Sequence, residues 1–214
     1  MYIPGYFQQR NFPEIENFIR KNSFAVLVNE VAEKPWATHI PVELEENEKG
    51  EKVLWCHIAK ANPQWKSFES NRDVLVIFSG PHHYISSSWY NHFNVPTWNF
   101  IAVHVYGKVA IMSDEKLYES LKRLVNKYET TSKNPVSVET LPADLIQKLL
   151  NGVVGMEISI EKIEGKWKLS QNRDDESAAN VIRELESLND FKAQQIADEM
   201  KKARSSFTHP NKNN

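Results

Sequence analysis

The residues best equipped to do chemistry in this chain lie between Trp36 and His104. That span carries five of the six tryptophans and six of the seven histidines. Three stretches stand out: ATHIP at 37–41, CHIAKANPQWKSF at 56–68 and GPHHYISSSWYNHFNVPTWNF at 80–100. Large rings are interleaved with hydroxyls, carboxamides and lysines. A core needs leucine and valine, not rings with polar tips crowded between turns. The mixture suits a pocket that clamps a flat, polar, phosphorylated aromatic molecule. It describes a ligand more than a reaction.

Each stretch has a specific reading and a plain one. HIAKANPQWK starts as a strand at His57 and Ile58 and turns at Ala61–Asn62–Pro63, so Lys60, Asn62, Gln64 and Lys66 gather where the strand ends. A phosphate dianion wants cations and directed donors, and this turn offers both. A polar surface turn sealed by Trp65 and Phe68 would read the same way. In ATHIP, alternation puts Thr38 and Ile40 on one face and Ala37, His39 and Pro41 on the other. A flat ring could lie against such a strand, and an ordinary edge strand would share the pattern. The segment from Tyr84 to Asn99 is too long and too aromatic for a simple connector. Ser86, Ser87, Ser88 and Thr97 supply donors there, while Trp89, Tyr90 and Trp98 supply walls for a ligand, a barrel mouth or a dimer contact. Near the end, Lys168, Ser170, Gln171 and Arg173 of KWKLSQNR reach a ligand from a second direction or merely join a strand to a helix capped by Asn172 or Asp174.

Other chemistries are disfavoured. His82, His83 and His92 lack the spacing of a metal site, since adjacent histidines on an extended chain point to opposite faces. Cys56, the one cysteine, excludes an internal disulfide and reads as a small packed group. GxGxxG, GxxxxGK[ST], GxSxG and HExxH are all missing. A nucleotide-like ligand is therefore held by side chains and strand backbone, not by a glycine loop.

The whole chain bounds these readings. Its 214 residues suit one large domain with an appendage, and 41% hydrophobic with 25% charged residues is ordinary for a globular protein. A net charge of −2 gives no general attraction to nucleic acid. The basic residues Lys192, Lys201, Lys202 and Arg204 are spaced among acids and read as a solvated helix face. Neither a membrane span nor an export signal is visible, so a cytoplasmic protein is expected.

The elements that must position these groups follow from periodicity. Asn11, Pro13 and Glu14 open a helix with Ile15, Phe18 and Ile19 on one face, ending near Asn22. Strands are expected at 24–28, 36–44, 52–59, 74–78, 99–112 and 153–163, the last with Val154, Met156, Ile158 and Ile160 on one face. NEKG at 47–50 marks a hairpin turn, and Pro41 an edge, bulge or strand end. Ser113 caps a helix carrying Leu117, Leu121, Leu124 and Tyr128; Pro142 opens another, stopped by Gly152. Residues 129–140 read as an exposed loop, and the chain is helical from Asp174 to about Arg204. Many strands without strand–helix alternation predict a mainly β, α+β protein: a β-barrel with inserted helices and a helical C-terminal extension.

MYIPGYF, NSFAVLV, P-x-ATHIP, HIAKANPQWK, GPHHYISSSWY, NVPTWN, AVHVYGK and KLSQNR together closely resemble the PaiB family. Its members are described as FMN-binding negative transcriptional regulators on a pyridoxamine-phosphate-oxidase-like split β-barrel. The resemblance runs from Met1 to about Leu188. It implies FMN as cofactor, in two clefts at the interface of a homodimer, with DNA or a regulatory protein as a further partner and no membrane. By position it implies the ring beside Thr38, His39 and Ile40, and the phosphate and ribityl chain near His57, Ile58, Lys60, Asn62 and Gln64. Ser86, Ser88, Trp89, Trp98 and Gln171 complete the implied set. The chain departs from the family at Cys56, where a glycine is common, at His83 for alanine, and at Ser87 for the proline of SPSW. The expected organisation is an FMN-binding split barrel at 1–173, a helical extension at 174–206 and a disordered tail at 207–214. An FMN-dependent oxidoreductase acting on a small substrate is the alternative function.

Overall fold

The structure, a computed structural model, describes residues 1–207. The expected tail therefore lies outside the described residues, apart from residue 207, where the last helix ends. By its internal contacts the chain falls into two units. The first comprises Met1–Ile15, Ser79–Val103 and the chain from Glu164 onward; the second comprises Glu16–Phe78 and His104–Ile163.

Seven strands form one antiparallel sheet: β1 (Gln8–Gln9), β2 (Phe24–Val31), β3 (Lys34–Glu46), β4 (Lys52–Ala59), β5 (Asp73–Ile85), β6 (Thr97–Ile111) and β7 (Val153–Lys168). Their order is β1-β7-β4-β3-β2-β5-β6, and a further pairing of β6 with β7 closes six of them into a ring. This is the barrel that the alternating strands predicted. In the second unit the closure is tight: a Cβ on Gly107 would lie 2.0 Å from the Ser159 carbonyl oxygen. Only glycine lets β6 approach β7 so closely. Inward positions hold the apolar half of each alternation, including Leu27, Ile40, Leu44, Leu54, Val76, Phe78, Val105, Met156 and Ile158, all at 3% exposure or less. Each such side chain contributes about 2 kcal/mol by leaving water.

Strand lengths exceed the expectation for local reasons. The gap expected at 29–35 closes into a two-residue hairpin, with Val31 opposite Lys34 and positive φ at both Ala32 and Glu33. That twist matches the strands, as in a type I′ turn, at a cost of about 1 kcal/mol per non-glycine residue. Pro41 sits inside β3 where the strand exchanges partners: residues 34–41 pair with β2 and residues 42–46 with β4. A missing N–H costs least at such a changeover. Asn47 closes the next hairpin by accepting from the backbone N–H groups of Lys49 and Glu51.

Five α-helices accompany the sheet. Helix α1 (Phe12–Lys21) buries Ile15, Phe18 and Ile19. Helix α2 (Asp114–Glu129) is capped by Ser113 and sets Leu117 against Val53, Trp55 and Met112. Helix α3 (Ala143–Asn151) ends at Gly152. The segment read as a loop before it carries a short 3-10 turn at Val138–Thr140, with Val138 buried. In the first unit the single helical span expected after Asp174 is two helices, α4 (Asp175–Ser187) and α5 (Phe191–Phe207), which bury Ala178, Val181 and Leu185 with Ala193, Ile196 and Met200. Asp174 caps α4 through the Ser177 N–H, and Asp190 accepts from the Lys192 N–H where α5 starts. No helix among the described residues is long and apolar enough to cross a membrane.

Candidate functional site

The phosphate-like turn is built in the second unit where β4 ends. Asn62 caps the 3-10 helix Pro63–Glu69, its side-chain oxygen accepting from the Gln64 N–H at 3.1 Å. Pro63 needs no N–H partner there, which favours the turn locally. Trp65 closes it by donating its indole N–H to the Lys60 carbonyl at 2.9 Å. Gln64 is fully buried: its amide nitrogen donates to Asn29 at 2.8 Å, and its oxygen accepts from Thr38 at 2.6 Å. The Asn62 amide donates to Thr38 at 2.9 Å. Thr38, Asn62 and Gln64, predicted from two separate stretches of the sequence, thus meet in one hydrogen-bonded group.

The cations of the turn are differently disposed. The ammonium groups of Lys60 and Lys66 are exposed, and neither has a carboxylate partner among the described residues. Lys66 lies 5.9 Å over the Trp65 ring. Two unmatched cations on a turn whose polar groups are already ordered fit a phosphate, which brings the missing negative charge. Of the other candidates in this unit, Ile40 and Ile58 are buried at 3% exposure, so only their backbone can face a ligand. His39 points outward and stacks on Phe24 with ring centres 6.2 Å apart. Burial holds the half-buried His57 below its ordinary pKa, so its imidazole is neutral at neutral pH. Cys56 is buried, and desolvation pushes its thiol up to about 12, which removes it as a nucleophile.

Five candidates belong to the first unit. Ser86 caps a short 3-10 turn at Ser87–Trp89, and its hydroxyl lies 2.8 Å from that of Ser88. Trp98 is 53% exposed, with His82 and Tyr84 at ring-centre distances of 6.2 and 6.0 Å. Trp89 is half-buried. The Gln171 carboxamide is engaged by its own segment, accepting from the Leu169 N–H at 2.8 Å and donating to the Trp167 carbonyl at 2.6 Å. Lys168 donates to the Trp98 carbonyl at 2.6 Å and to Thr97. Burial first, then its cationic neighbours Lys166 and Arg173, push the Lys168 pKa down. The loop between β5 and β6 is tied to α4: Asn91 donates to Glu176 at 2.8 Å and accepts from the Ser177 hydroxyl at 2.6 Å.

Sequence reasoning missed two members of the buried group, Asn29 and Ser67. Asn29 has a legible signal. It occupies an inward position in FAVLVNEV, after Ala25 and Leu27, and a buried carboxamide must find partners. Two alternatives find no support. No group of three metal-ligating side chains occurs among the described residues. A groove of about 540 Å³ lined by Arg20, Glu43, Glu45, Arg123, Asn126 and Lys127 pairs Arg123 with Glu45 and Lys127 with Glu43, both at 2.7 Å, while Arg20 donates to the Leu44 carbonyl at 2.8 Å.

An antiparallel sheet whose β6–β7 pairing closes six strands into a ring is the fold of the split β-barrel class. The chain belongs to the family described as "Putative FMN-binding domain", whose model matches residues 1–162, and FMN is its cofactor. It is 45% identical over 201 residues to the protease synthase and sporulation protein PAI 2 of Bacillus subtilis, covering 94% of this chain and 96% of that one. An uncharacterized protein of Emericella nidulans is 28% identical, across 88% and 91% of the two chains. Among solved structures, the flavocytochrome Anf3 of Azotobacter vinelandii superposes with a TM-score of 0.59 at 19% identity, covering 83% of this chain and 78% of that one. The FAD and heme binding protein of Mycobacterium smegmatis gives 0.58 at 12% identity, over 80% and 78%. At such identities these two likenesses speak to the fold.

Proposed function

We propose that this protein is an FMN-binding negative transcriptional regulator that holds the FMN phosphate on the turn from Lys60 to Lys66. The observation that carries the site is the pair of exposed ammonium groups without carboxylate partners among the described residues, on a turn whose Asn62 and Gln64 side chains are fixed by hydrogen bonds. Lys60 and Lys66 supply charge and Asn62 a directed donor. Thr38 and Gln64 hold the turn's shape from inside. His39 and the backbone at Ile40 and His57–Ile58 border the ring. Bound FMN supplies reversible redox chemistry, which lets occupancy or oxidation state serve as the signal.

The regulatory reading is supported by the name of the Bacillus subtilis relative, which ties that protein to protease synthesis and sporulation. Contact with a protein partner is favoured over direct reading of bases. Three of the four cations of α5 are paired in place: Lys202 with Glu199 at 2.7 Å, Lys201 with Glu186 and Arg204 with Asp175. A helix whose basic residues are mostly paired leaves little to exchange for phosphate counterions. A homodimer is part of the reading, because the first unit exposes Phe93 completely, Val95 at 66% and Trp98 at 53%.

The test has three parts. Purified protein should carry FMN, identified by chromatography of the released flavin, and light scattering should give twice the chain mass. Target transcripts should rise in a deletion strain and fail to be repressed by a Lys60→Ala/Lys66→Ala protein. Rapid multiple turnover of NADPH with a small acceptor, with unchanged transcripts, would favour the oxidoreductase instead.

A further inference from the structure

We infer that Asn29 is a positioning residue for FMN: from inside the barrel it sets the direction of the donors that meet the phosphate. This rests on the reading that the turn at 60–66 holds the phosphate. Asn29 is 8% exposed and Gln64 fully buried, so every polar atom between them must be matched within the protein.

The bonds can run in one direction only. The Leu27 carbonyl can only accept, so the Gln64 amide nitrogen faces it at 3.4 Å and spends its other proton on the Asn29 oxygen at 2.8 Å. The Gln64 oxygen is then left to accept from the Thr38 hydroxyl at 2.6 Å. Having donated, Thr38 accepts from the Asn62 amide at 2.9 Å, which turns the Asn62 oxygen toward the Gln64 N–H at 3.1 Å. On the other side the Asn29 amide donates to the Ser67 hydroxyl at 2.7 Å and to the Glu30 carbonyl at 3.3 Å. Ser67 therefore sends its own proton to the Gln64 carbonyl at 2.8 Å. Asn29 thus grips the turn at both ends, through Gln64 toward Asn62 and through Ser67 in the body of the 3-10 helix. Two acceptor-only carbonyls on β2, those of Leu27 and Glu30, orient the chain, and the half-buried Asn62 ends it at the start of the 3-10 helix. No ammonium group takes part. Charge comes from Lys60 and Lys66, while Asn29 joins the two anchored ends of the network that gives direction.

This division predicts a selectivity that a merely structural residue would not show. FMN and riboflavin share the ring and ribityl chain and differ in the phosphate. Apo-protein titrated with each flavin, read by quenching of flavin fluorescence, should show Asn29→Ala raising the FMN Kd by about tenfold or more, as expected for an orphaned buried amide. The riboflavin Kd should stay within about twofold, because the lost direction acts on the phosphate alone. Ser67→Ala, which removes a single hydroxyl, should show the same selective loss at about three- to fivefold. It decides alone if Asn29→Ala does not fold by circular dichroism. Equal loss of both flavins in a folded variant, or an unchanged FMN-to-riboflavin ratio, overturns the role of Asn29. Lys60→Ala separates this from failure of the underlying reading. If Lys60→Ala weakens FMN and the Asn29 and Ser67 variants do not, the positioning role falls alone. If Lys60→Ala leaves FMN binding intact, the phosphate is not at this turn and both fall.

Discussion

In the second unit the carboxamides of Asn29, Asn62 and Gln64 bond to one another and to neighbouring hydroxyls, and the ammonium groups of Lys60 and Lys66 have no carboxylate partner among the described residues. In the first unit Asn91, Asn99 and Gln171 are bonded to α4, Ser170 and nearby backbone, and it is the rings of Phe93 and Trp98 that remain exposed. One unit presents ordered charge; the other presents apolar area. A phosphate is recognised by directed donors and cations, while a flat ring or a partner surface is recognised by area removed from water. The two units thus present different kinds of surface, although both draw on the same residue types.

Four experiments break or sharpen this contrast, beginning with the largest effect. Gly107→Ala puts a methyl group into the Ser159 carbonyl, so the barrel of the second unit should lose on the order of 3–5 kcal/mol, seen as a large drop in thermal midpoint. A small drop would mean that β6 and β7 can part without loss. Next, Lys60→Ala/Lys66→Ala should weaken FMN by about 2 kcal/mol, roughly thirtyfold, and flatten the salt dependence of binding without shifting the melting temperature. A stability loss with intact FMN affinity would make these lysines structural.

A smaller effect is expected in the first unit. Asn91→Ala removes the bonds to Glu176 and Ser177 and should cost about 1 kcal/mol, with faster amide exchange confined to the loop and the start of α4. The last concerns pH. Because burial lowers the folded pKa of His57 from 6.5, the unfolded chain takes up the proton first as pH falls. Stability contributed by the neutral ring is present above about 6.5 and is lost as pH falls from there toward the folded value. His57→Gln should flatten that part of the stability–pH curve; an unchanged slope would place the titration elsewhere.

Much of the fold was readable because it rests on local periodicity. Alternation located six of the seven strands, and capping residues such as Ser113 and Asp174 began helices where expected. What escaped was non-local or strained. The turn at Ala32–Glu33 lacks the glycine that usually marks positive φ, so the strands on either side seemed shorter than they are. The two-residue β1 has no periodicity and exists only through its pairing with β7. In the site, HIAKANPQWK announced a polar turn, but nothing in it tells that Gln64 points inward while Lys60 points outward. The 3-10 geometry and the partner on β2 decide that.

The sequence by itself determined the barrel alternation, the turn chemistry at 60–66, the isolation of Cys56 and the aromatic richness of the span from Trp36 to Trp98. These depend on residue type and on neighbours a few positions away. Only the tertiary structure decided which carboxamides are spent in the interior and which cations are left free. That outcome depends on burial and on partners such as Asn29 and Gln64, 35 positions apart, meeting at 2.8 Å. A hydrogen bond gains its meaning from what surrounds it: the same side chain is a solvated ornament on one face of a strand and a fixed donor on the other.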